Sequence, residues 1–87
     1  MFNLKQTELS HMLFERLKDR FSEIELDGII ESAENPQHVW VSIVMPGDED
    51  REIELQEMAG EISTDILLDY GYHISIVAAE TSERFAA

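Results

Sequence analysis

The stretch "HVWVSIVMPGDEDREIEL", residues 38–55, contains the change of periodicity on which the fold turns. Over 38–44, Val39, Val41 and Ile43 fall on one face and His38, Trp40 and Ser42 on the other. A period of two belongs to a β-strand, whose successive side chains point to opposite sides. After "PGDED" the spacing lengthens to three and four. Leu55, Met58, Ala59, Ile62 and Ile66 then form one stripe, as in an amphipathic helix. Asp48 or Asp50 can cap that helix, and the acids around it suit the positive end of the peptide dipoles. A strand running into a helix predicts a crossover to a parallel strand.

Downstream lies "LLDYGYHISIVAAE", residues 67–80. Gly71 stands where the left-handed residue after a helix belongs. "YHISIVAA" then alternates again, with Ile74 and Ile76 on one face and His73, Ser75 and Val77 on the other. Upstream, "SEIELDGIIESAE" sets Ile24 and Leu26 against Glu23, Glu25 and Asp27. Gly28 and the pair Ile29-Ile30 break the pattern, which predicts a bulge or bend. "NPQ", residues 35–37, reads as a turn into the next strand. Before all of these, Leu9, Met12, Leu13, Leu17 and Phe21 recur at helical spacing over 4–21, with Phe14 beside the stripe. Asn3, followed by Gln6 three residues on, is placed to cap that helix.

The order is α-β-β-α-β. Short connections make a hairpin of the first two strands, and the crossover helix sets the third parallel to the second. The expected fold is a two-layer α+β sandwich, with two helices on one face of a small mixed sheet. Eighty-seven residues suit one domain with one modest core. The last stretch, "TSERFAA" (81–87), carries Phe85 and is expected either to fray or to fold back over the open face.

Composition excludes more than it selects. There is no cysteine, so disulfides, thiolate zinc sites and cysteine nucleophiles are ruled out. No apolar run is long enough to span a bilayer. No secretory leader is read at the N-terminus, and a cytoplasmic location is expected. The formal charge is −13. Residues 1–22 hold Lys5, Arg16, Lys18 and Arg20 against three acids, whereas 23–83 hold sixteen acids and one base, Arg51. Such a surface repels phosphate, which disfavours an extended nucleic-acid contact or an anionic membrane. It serves solubility, and it also suits a basic partner.

The second half of the chain resembles a known family. "EMAGEISTDILLDYGYHISIVAAE", together with "LKDRF" and the strands between, is similar to the core of the minimal nucleotidyltransferases of the DNA polymerase beta superfamily. The resemblance spans 13–80, and its specific part is 56–80. An active member needs a Gly-Ser turn after the first strand, an Asp-x-Asp pair on the second and a third acid on a later strand. Together these hold two magnesium ions on the nucleotide phosphates. Here the turn position reads "GIIES", the second strand offers His38, Trp40 and Ser42, and the third offers Ser75. The resemblance therefore implies a degenerate, non-catalytic member with no cofactor. "PQHVWVSIVMPGDEDREIELQEM" and the element order are also similar to ribosome-binding factor A, a KH-like RNA-associated protein. Against that reading stand the acidic surface and the missing GxxG phosphate clamp.

The candidate binding residues are His38, Trp40, Ser42, His73 and Ser75, with Tyr72 placed beside them. A tryptophan on an uncovered sheet face points to a protein contact, because indole gives a large area and one donor. A protein partner or a homodimer is the expected occupant. His38 and His73 can approach across neighbouring strands, but two histidines without a third ligand make a poor zinc site. Glu25, Asp27 and Glu31 are the acids left to a nucleotidyltransferase with unorthodox ligands. The run Asp48, Glu49, Asp50, Glu52 and Glu54 lacks calcium-loop spacing and reads as a charged helix start.

Overall fold

The computed structural model describes residues 3–32, 34–35 and 37–79. Its elements are α1 (Leu4–Arg20), β1 (Glu25–Glu31), β2 (His38–Val44), α2 (Glu49–Tyr70) and β3 (His73–Ala78). The order is the one the periodicity predicts. Phe85 and the rest of the tail lie outside the described residues.

Each helix begins and ends on residues suited to the task. Asn3 accepts a hydrogen bond from the Gln6 amide, and the Gln6 side chain accepts one from the Asn3 amide, a reciprocal capping box. Asp48, not Asp50, caps α2, its carboxylate accepting from the Arg51 amide at 3.1 Å. Gly71 ends α2 at φ +80, a conformation that costs a glycine nothing sterically.

The sheet runs in the order β1-β2-β3. β1 and β2 are antiparallel, β2 and β3 parallel. The break in alternation becomes a β-bulge: Leu26 pairs with Ile43 and Gly28 with Ser42, so Asp27 is the extra residue. Beyond the bulge, Ile29 faces Val41 and Ile30 faces Trp40. Without it, Gly28 and Ile30 would turn to the core and Ile29 away from it, since the side-chain period is two.

One face of the sheet carries the core. Val39, Val41, Ile43 and Ile74 are fully buried beneath Leu9, Leu13, Leu17 and Phe21 of the α1 segment and Leu55, Ala59, Ile62 and Ile66 of α2. Met12, Phe14 and Met58 pack at the margin of this cluster. Near the entry to β1, Arg51 donates to both carboxylate oxygens of Glu23 and lies over the Phe21 ring, joining α2 to the turn after α1. That hydrogen bond is the main reason the Glu23 carboxyl is held below its usual range.

Candidate functional site

Among the described residues, no helix or strand lies over the second face of the sheet. Three strands deliver its side chains by alternation: His38, Trp40, Ser42 and Val44 from β2, His73, Ser75 and Val77 from β3, and Glu25 and Ile30 with the bulged Asp27 from β1. The parallel register sets His38 beside His73 and Trp40 beside Ser75.

These residues form a connected group. The His38 and Trp40 rings stack, with centroids 4.4 Å apart and planes 25° from parallel. His73 lies 5.7 Å from His38, centroid to centroid. The His38 Nε2 and Ser75 Oγ share a hydrogen bond of 3.2 Å, whose direction follows the imidazole tautomer. Ser42 donates to Asp27 Oδ2 at 3.0 Å. Ser42 is only 3 % exposed, whereas Ile30 is 49 % and Val77 38 % exposed. Trp40 is half-buried between them.

All five predicted residues therefore share this face. They do not all play the same part. Ser42 is buried, and its hydroxyl is committed to Asp27. Tyr72 departs from expectation. It lies two residues before Ile74 and so on the helix side of β3, where it packs against the core and receives a hydrogen bond from Asn3 at 3.1 Å. Asp27 and Ile30 belong to the face although its prediction omitted them. The bulge puts Ile30 there, with the broken alternation at Gly28 as its sequence signal, whereas alternation from Leu26 alone sets Asp27 opposite the core.

A serine within reach of a histidine is half of a nucleophilic pair, and catalysis also needs a group that orients the imidazole. Of the two carboxylates that strand pairing sets on this face, Asp27 is bonded to Ser42 and Glu25 stands opposite Val44 at the end of β1. Among the described residues, no group of three or more His, Asp or Glu side chains is arranged to hold a metal ion. No described helix is long and apolar enough to cross a membrane. What the face offers is contact area: one indole, two imidazoles and the aliphatic side chains of Ile30, Val44 and Val77, with Asp27 and Glu25 on the β1 side.

Comparison with protein-family models, curated proteins and solved structures finds no match for this chain.

Proposed function

We propose that this domain acts by binding protein rather than by catalysis, and that its open sheet face pairs with the same face of a second copy. The observation that supports this reading is the cluster of Trp40, Ile30 and Val77 on a face that no described helix covers. Apolar groups set together on an uncovered sheet mark a contact surface, and an aromatic near the middle is the usual anchor.

Charge selects the occupant. The chain carries −13 overall, so most of its surface repels another copy. The open face is less acidic, with Asp27, and Glu25 at the end of β1, accompanied by His38 and His73 around apolar groups. An isologous pairing there brings each Trp40 close to its symmetry mate without opposing rows of acids.

The test is sedimentation equilibrium over a wide concentration range, read alongside Trp40 fluorescence. The expected result is a monomer–dimer equilibrium with a blue shift of emission on association; Trp40→Ala, which removes the one tryptophan and is read by sedimentation alone, should stay monomeric. A wild-type monomer at the highest concentration, with unshifted emission, sinks the proposal.

A further inference from the structure

We infer that His38 and His73 form a two-imidazole site on the open face for a borderline divalent cation: copper(II), nickel(II) or zinc. One chain supplies both ligands, so the inference does not rest on the pairing of two copies.

The register brings the two rings together. β2 and β3 run parallel, and the ladder sets His38 directly beside His73, on the side of the sheet away from the core. A metal–nitrogen bond of about 2.0–2.1 Å puts the ion roughly 3 Å from each ring centre, so two ligating imidazoles stand about 4.5–6 Å apart. The centroids of His38 and His73 are 5.7 Å apart, with planes tilted by 46°. The pair already stands at chelating distance. His38 Nε2 meets Ser75 Oγ at 3.2 Å, so that nitrogen is turned toward the strand that carries His73. His73 is exposed, and its ring turns about a bond whose torsional preference is broad. Rotation about that bond brings one of its nitrogens to the same ion.

The surroundings select a cation, and the ligands select its kind. None of the three strands contains a lysine or arginine, and Asp27 and Glu25 stand on the β1 side of the same face. The charge of −13 on the whole chain raises the local concentration of cations further. Acids alone would favour magnesium or calcium, which take oxygen ligands. Imidazole instead suits copper(II), nickel(II) and zinc, with copper(II) the tightest of the three. Two ligands fall short of the four that close a structural zinc site, so the remaining positions are left to water. The ion is therefore held loosely and stays accessible. His38 stacks on Trp40 at 4.4 Å between centroids, which seats one ligand and puts the one tryptophan of the chain beside the ion.

The test titrates the untagged 87-residue chain with copper(II) chloride, and separately with zinc chloride, both in excess magnesium. Trp40 emission reads the copper titration, and the histidine ring signals in NMR read the zinc one. Expected are saturation at one ion per chain, quenching of Trp40 by copper(II), and zinc-induced shifts of the His38 and His73 rings. His38→Gln and His73→Gln should each weaken binding about tenfold or more, because a single imidazole loses the gain of two ligands acting within one molecule. His11→Gln changes the third histidine, exposed on α1, and should bind as the wild type does. His73 is exposed, so its variant decides the matter should His38→Gln fail to fold. Displacement by magnesium, a titration that does not saturate, or wild-type affinity in either face variant overturns the inference. An equal loss in His11→Gln overturns it too.

Discussion

The hydrogen bond from Ser42 to Asp27 invites the sharpest test of how the open face is built. Ser42 is 3 % exposed and donates to the bulged Asp27 at 3.0 Å. Asp27→Ala leaves that hydroxyl enclosed without its acceptor, a loss of about 1–3 kcal/mol. Alanine fits the backbone there, because no described non-glycine residue has positive φ. Ser42→Ala is milder, about 0.5–1.5 kcal/mol, because the exposed Asp27 carboxylate turns to water. For a domain of this size each kcal/mol moves the melting temperature by about 4–8 °C. Asp27→Ala at a loss of about 2 kcal/mol therefore melts about 8–16 °C lower.

The decisive quantity is the double-mutant cycle, read by urea unfolding of the wild type, both single variants and the pair. With Ser42 already alanine, removing the carboxylate should cost little, giving a coupling of about 1 kcal/mol or more. Additive losses would refute the reasoning, since Asp27 would then act only through the strand backbone. The outcome bears on the face itself, because the same bulge puts Ile29 in the core and Ile30 beside Trp40.

Two glycines of α2 should respond in opposite directions to alanine. Gly60→Ala adds a methyl group in open space inside a helix and should stabilise the fold by about 1 kcal/mol, raising the melting temperature. Gly71→Ala forces a Cβ into the left-handed conformation at φ +80 and should destabilise by about 1–2 kcal/mol in the same assay. Asn3→Ala removes the acceptor of the α1 capping box and should cost about 1 kcal/mol. The Arg51 hydrogen bond lowers the folded-state pKa of Glu23, so its contribution is present above the unfolded-state value and lost as pH falls through the folded one. Unfolding curves of wild type and Arg51→Ala should therefore differ at neutral pH and draw together in acid.

Most of the architecture was legible because local and tertiary preferences agree in this chain. Asn3 with Gln6, and Asp48 with Gly71, mark helix ends by hydrogen bonds that reach only three or four residues. Val39, Val41 and Ile43 expose the facing of β2, and that one strand tells which side the helices cover. Strand order was not legible, because periodicity says which face is buried and nothing about which neighbour pairs. The bulge was legible as a disturbance at Gly28, but its extra residue, Asp27, is defined only by partners fifteen or more positions away. The nearness of His38 and His73 follows once β2 and β3 are neighbours, a pairing that periodicity leaves open and the register supplies. The hydrogen bond from His38 to Ser75 depends on register and rotamer, which one strand's pattern does not contain.

The acids are spread unevenly over the molecule, and that unevenness argues against reading the acidity as solubility alone. A solubilising coat would spread over every exposed side. Here Glu57, Glu61 and Asp65 stand together on the exposed side of α2, while the face around Trp40 holds Asp27, bonded to Ser42, and Glu25 at its margin beside two imidazoles.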